Sequence, residues 1–176
     1  MTTKTTATMT DKFYEAFITV VPDCIRMDFL PAKFKGNINA FLSFENAVYS
    51  QANEMCSDYD GGYWEFVEAK DGHAFFMHPD SDDTSYTISN INTYKDYEVD
   101  GRIFGMLASW IVFSHASFAF QHKDPSASAM FANHYHALRN AFYSTVDKMV
   151  YENDDVSAEE KQAIEEMSSI VFSYLD

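Results

Sequence analysis

The chain has 176 residues, 47% of them hydrophobic and 16% aromatic, enough apolar surface for one packed domain. Twelve basic against twenty-seven acidic residues leave a net charge of −15, which excludes a protein that neutralises many phosphates or coats an anionic membrane. Such a surface serves solubility or presents a negative field to a basic partner such as a DNA-handling enzyme, and composition alone does not choose between them.

Residues 1–9 are Thr-rich and lack the basic-then-apolar order of a secretory signal, so they read as a flexible tail ahead of one domain, 10–176. Thr10 is placed to cap a first helix that carries Phe13, Tyr14 and Phe17 and stops at Pro22. Residues 21–31 read as an extended connection, because Pro22 and Pro31 push the residues before them out of the helical region. From about Asn39 a helix is predicted, with Phe41, Phe44, Val48, Ala52, Met55 and Tyr59 in one stripe. Glu45 falls beside that stripe, at the edge of the core, where a carboxylate needs a charged or hydrogen-bonding partner.

Gly61 and Gly62 break the helical period, and an alternating pattern follows from Tyr63 to Ala69. Asp71-Gly72 is a two-residue hairpin signal. It sets Phe66 opposite Met77, Val67 opposite Phe76, and Glu65 opposite His78, the last as a surface ion pair, with Trp64, Phe66, Phe75 and Met77 on the core face. Beyond Pro79 and the acidic loop Asp80, Ser81, Asp82 and Asp83, residues 84–91 give a third strand, and hence one antiparallel meander. Residues 103–120 carry no Asp, Glu, Lys or Arg. Their serines and His115 favour the buried centre of a compact domain over a membrane span, with the helix starting near Asp100. Asp124 and Pro125 open the next helix, whose stripe is Phe131, Tyr135, Leu138, Phe142 and Met149. Ser157 opens the last, with Ile164, Met167, Val171 and Tyr174 inward. The fold class is α+β, a single domain with a small antiparallel sheet of about three strands and about five helices.

Searching for chemistry yields little. There is no G-x-S-x-G, and Cys24 and Cys56 stand far apart, as expected of reduced thiols in a cytoplasmic protein; Cys56 reads as a small buried side chain. His134 and His136 are about 200° apart on a helix and cannot close on one metal ion. Asp58, Asp60 and Glu65 have the composition of a general acid/base set, but Asp beside a Gly-Gly turn commonly satisfies local backbone donors. No phosphate loop or dinucleotide fingerprint is present. The sequence therefore offers no catalytic residue, metal site or cofactor. Tyr63 and Trp64 have acidic rather than basic neighbours, against direct nucleic-acid binding. What remains is an acidic surface for a partner, made of Asp80, Asp82, Asp83, Asp154, Asp155, Glu159, Glu165 and Glu166.

The order and spacing of Val21-Pro22, Arg26, Phe29-Leu30-Pro31, Glu45-Asn46-Ala47-Val48-Tyr49, Met55-Cys56, Asp58-Tyr59 and Gly61-Gly62-Tyr63-Trp64-Glu65-Phe66 resemble the ArdB/KlcA antirestriction family of plasmids, phages and other mobile elements. The likeness extends to Gly72 and Phe76-Met77, with His73 where another glycine is expected. It implies an α+β inhibitor of type I restriction-modification, without cofactor or enzymatic activity, whose partner is the restriction enzyme or an associated host protein. Two other readings stand beside it. One is an acidic DNA mimic that competes for the DNA groove of a DNA-binding enzyme; the other is a small hydrolase using Cys56 or the nearby carboxylates.

Overall fold

The computed structural model describes residues 4–80, 83–90 and 92–176. In chain order its elements are β1 (Thr5–Ala7), α1 (Asp11–Phe17), β2 (Ile18–Val20), α2 (Arg26–Lys33), α3 (Ile38–Met55), β3 (Trp64–Ala69), β4 (Phe75–Pro79), β5 (Ser85–Asn90), β6 (Lys95–Asp100), α4 (Gly101–Ala119), α5 (Pro125–Asp147) and α6 (Ala158–Leu175). No helix among the described residues is long and apolar enough to cross a membrane.

The uncharged segment becomes α4, and every other layer packs on it. Asp100 opens it, its Oδ1 accepting the Ile103 N–H at 2.9 Å. Phe104 stacks on Tyr86 of β5 (4.3 Å between ring centres), and Phe113 stacks on Phe44 of α3 (5.1 Å). Trp110 meets Phe142 of α5 edge-on at 6.0 Å. Fully buried Ser109 accepts the Met77 N–H at 3.1 Å and donates to the Met77 carbonyl at 3.3 Å, so a helix side chain satisfies the outer edge of β4.

Side-chain caps define most helix starts where the sequence places them. Thr10 accepts from Phe13 N–H at 3.3 Å, Asp124 from Ala127 N–H at 3.0 Å ahead of Pro125, and Ser157 from Glu160 N–H at 3.2 Å. Asn37, two residues before the expected start, caps α3 through the Ala40 N–H at 3.1 Å. The hairpin has the expected register, Glu65 to His78, Phe66 to Met77 and Val67 to Phe76. Gly72 holds φ +74° in its turn, and Asp71 Oδ1 accepts the N–H groups of His73 (2.8 Å) and Ala74 (3.2 Å).

Four expectations need correction. The α+β single domain stands, but its strands form two sheets of three, in the orders β2-β3-β4 and β1-β6-β5. Helix α4 occupies the outer edge of β4, so β5 pairs with β6 instead. The expected tail is structured from Thr5: β1 runs parallel to β6, with Thr5 beside Tyr97 and Ala7 beside Val99, and buried Met9 donates its N–H to Asp100 Oδ2 at 2.8 Å. Of residues 21–31, Pro22 is extended as expected, but a 3-10 turn at Asp23–Ile25 then leads into α2, which contains Pro31 in its last turn. Burial of Phe29 and Leu30 outweighs the single backbone hydrogen bond that Pro31 cannot make. Finally, α3 ends at Met55, short of Tyr59, with Cys56 extended at its end (φ −134°).

Candidate partner-binding surface

The family-like motif assembles around a fully buried Trp64. Its indole N–H donates to the Tyr59 hydroxyl at 2.9 Å, and the rings of Tyr49 (5.5 Å) and Tyr59 (5.8 Å) meet it edge-on. Glu45 has the partners its position requires: the Tyr49 hydroxyl donates to its Oε1 at 2.9 Å, and Arg26 lies 3.9 Å away. Burial first, then that carboxylate, pushes the Tyr49 hydroxyl well above its ordinary pKa, so it stays a donor. The Arg26 guanidinium lies over the rings of Phe66 (4.4 Å) and Tyr63 (4.8 Å), and the Tyr63 hydroxyl donates to Asp23 Oδ1 at 3.3 Å. Gly61 (φ +98°) and Gly62 (φ +133°) make the reversal between α3 and β3. Asn46 is exposed on α3.

The carboxylates flanking this junction do not form one set. Asp58 and Asp60 line a cavity of about 230 Å³ with Cys56, which is itself 3% exposed, whereas Glu65 lines a neighbouring groove that meets this cavity at Pro79 and Asp80.

That groove, of about 830 Å³, lies between α1, the end of the β2-β3-β4 sheet and the start of α4. Asp11, Glu15, Glu65, Asp80, Asp83 and Asp100 line it, together with Tyr14, His78 and Arg102. His78 stands opposite Glu65 as expected, but it is 5% exposed, so its side of the pair is buried and not on the surface. Its Nδ1–H donates to the Pro79 carbonyl at 2.9 Å, leaving Nε2 to accept from the Tyr14 hydroxyl at 2.7 Å. Arg102 lies 3.8 Å over the Tyr14 ring and donates to Asp11 Oδ1 at 2.8 Å and the Met9 carbonyl at 3.1 Å. Burial raises the Asp100 pKa, and the N–H groups of Ile103 and Met9 pull it back. With its cation Arg102 already paired to Asp11, the groove presents a concave, net negative face.

Of the acidic residues singled out in the sequence, Asp80, Asp83 and Glu65 meet in this groove, while Asp82 lies outside the described residues. Asp154, Asp155 and Glu159 are exposed around the start of α6, and Glu165 and Glu166 lie exposed further along it. The start of α6 adjoins α1, because Glu160 hydrogen-bonds Thr10 and Lys12 donates to the Asp155 carbonyl at 3.3 Å. Sequence reasoning missed Asp11, Glu15, Tyr14, His78, Asp100 and Arg102 as one site, since they come from three distant segments. The available signal was Asp100-x-Arg102, a pair of opposite charges at the head of the uncharged stretch 103–120.

The fold is shared with a solved structure from work on the KlcA and ArdB proteins, described there as having a novel fold and antirestriction activity against Type I DNA restriction systems in vivo but not in vitro. Identity is 23%, the TM-score is 0.61, and the match covers 84% of this chain and 94% of that one. In Escherichia coli K12, the uncharacterized protein YafX is 32% identical over 103 residues, 58% of this chain and 66% of its own length. The putative antirestriction protein YubI is 34% identical over 92 residues, 52% of this chain and 61% of its own length. The chain thus spans just under two thirds of each of these two relatives. The uncharacterized protein YfjX is 28% identical over 128 residues, 72% of this chain and 79% of YfjX. A family model described as antirestriction protein matches residues 57–148, more than half of the sequence, and the chain belongs to that family.

Proposed function

We propose that this chain relieves host type I restriction-modification of incoming phage or mobile-element DNA, acting in the cytoplasm as a non-catalytic protein that binds another protein. The observation that carries the proposal is the family match over residues 57–148, in a chain with the fold of the KlcA and ArdB work. The partner is the type I enzyme or a host protein associated with it. The motif residues are mainly architectural, since Trp64 is buried and Glu45, Tyr49 and Tyr59 hold one another. The acidic groove with Asp80 and Asp83, joined by Asp154, Asp155, Glu159, Glu165 and Glu166 on the α6 side, is the contact surface.

Direct imitation of DNA needs acidic groups arrayed along an elongated surface, and here several of them line a concave groove. The KlcA and ArdB activity in vivo but not in vitro also favours a mode that requires the cell. Against a hydrolase stand the burial of Cys56 and the absence of Glu65 from the cavity that Asp58 and Asp60 line.

Expressed in a type I restricting host, the chain should raise the plating efficiency of unmodified phage by about ten-fold or more and leave a type II host unchanged. Unchanged plating on the type I host sinks the proposal. Salt-sensitive competition with DNA for a purified restriction complex would favour mimicry instead.

A further inference from the structure

Around the Arg26–Glu45 ion pair, several large apolar side chains stand outside the core. Ile25, Met27, Ile38, Leu42 and Tyr63 all stand exposed, Met27 at 90%, Leu42 at 61% and Tyr63 at 54%. Arg26 joins the segments that carry them: its guanidinium lies 4.8 Å over the Tyr63 ring and 3.9 Å from Glu45 of α3. Ile38, Leu42 and Glu45 follow one another at helical spacing, so they form one stripe running from that ion pair toward the α2–α3 turn. The opposite stripe, Ala40, Phe44, Val48 and Ala52, already fills the core. Scattered exposed hydrophobic side chains are ordinary, whereas a connected group of them marks a contact surface.

Two further features suit this surface to a protein. Tyr63 is held in advance, by Arg26 beneath its ring and by its hydrogen bond to Asp23 at 3.3 Å, so docking on it loses little side-chain freedom. Tyr, Arg and Met are also residue types that concentrate at interface centres. Charge then selects the occupant. Asp23, Asp28 and Glu45 border the apolar group, Asp60 shares a shallow pocket with Tyr49 just beyond it, Arg26 is already paired, and Lys35 sits past the far end. A second copy would set these carboxylates against each other on molecules of net charge −15, and nucleic acid or an anionic membrane would be repelled likewise.

We infer that, in a chain acting through a protein partner as proposed above, this face docks a basic protein surface: an apolar centre ringed by Lys and Arg. It is a second contact, distinct from the acidic groove. The probe is a labelled amphipathic helical peptide of leucine and lysine, with a leucine–glutamate peptide of the same pattern as control, followed by fluorescence anisotropy. The unaltered chain should bind the lysine peptide alone. Met27→Ser/Leu42→Ser should weaken that binding by about ten-fold or more. Tyr94→Ser, which removes an exposed ring outside this face, should bind as the unaltered chain does, and both variants should melt as it does. Equal binding by the double variant overturns the inference, as does equal binding of the glutamate peptide. In the plating assay the double variant should lose protection, and full protection would also overturn it. An unaltered chain that fails to protect overturns the restriction reading alone, because the peptide titration still decides the surface.

Discussion

On α5, the ring of His134 is enclosed by Phe75 (4.9 Å), Phe34 (5.0 Å) and Phe113 (5.6 Å), and its Nε2–H donates to the Lys33 carbonyl at 2.9 Å. Burial, aided by the charges of Lys33 and Lys35, lowers its pKa from 6.5 to about 4. The unfolded chain therefore takes up this proton at a higher pH than the folded one. The stability linked to this group is fully present above pH 6.5 and is lost as pH falls toward 4, by on the order of 3 kcal/mol. Urea midpoints should fall between pH 6.5 and 5, and His134→Gln should flatten that slope while keeping a donor for Lys33. An unchanged slope in the variant would place the linkage elsewhere. Helix geometry in the sequence separates His134 from His136, and the structure indeed leaves His136 exposed. The aromatic box is not legible in sequence, because Phe34, Phe75 and Phe113 come from three different segments.

Among the elements, α4 is the one most completely written in local sequence, from its cap at Asp100 to its small-residue face. Gly105 explains that face: a Cβ there would lie 2.3 Å from the His78 Cα, so helix and strand approach backbone to backbone. Gly105→Ala forces them apart and should cost about 3 kcal/mol. For a chain of this size that lowers Tm by about 6–12 °C, readable by calorimetry. A variant that melts with the native protein would mean that α4 does not sit against β4. The β3–β4 hairpin was equally legible, since Asp71-Gly72 fixes its register. Helix α2 was not, because Pro31 argues against a helix and only the tertiary burial of Phe29 and Leu30 overrides it. Strand β5 is visible through Tyr86 and Ile88, but its partner depends on an edge already taken by α4.

At the scale of the whole molecule, the net charge of −15 acts on stability as well as on partner choice. Mutual repulsion opposes compaction, and the paired charges among the described residues, such as Arg102 with Asp11, are too few to cancel it. Raising sodium chloride from about 0.02 M to 0.5 M shortens the screening length several-fold and should raise Tm by about 2–4 °C. A fall in Tm would show that the individual ion pairs outweigh the general repulsion. The acidity was plain from composition, Asp80 and Asp83 stood out in an acidic run, and Glu65 stood out in the family-like motif. The groove that gathers them was not legible, because it exists only once residues 8–15, 78–83 and 100–102 have come together.

The parallel seam between β1 and β6 also orders events in time. Strand β1 needs Tyr97 to Val99 beside it, and Thr10 just after it holds Glu160, 150 residues further along. On a ribosome adding about 5–20 residues per second, that last tie waits roughly ten to thirty seconds after Thr10 is made. During this interval the β2-β3-β4 unit can form, and the wall of the acidic groove built from Thr8, Met9 and Asp11 can close against residues 78–83 and 100–102 once these have followed. The lining of the groove is thus complete before the final helix emerges, and what arrives last is the tie between Thr10 on its rim and Glu160 of α6.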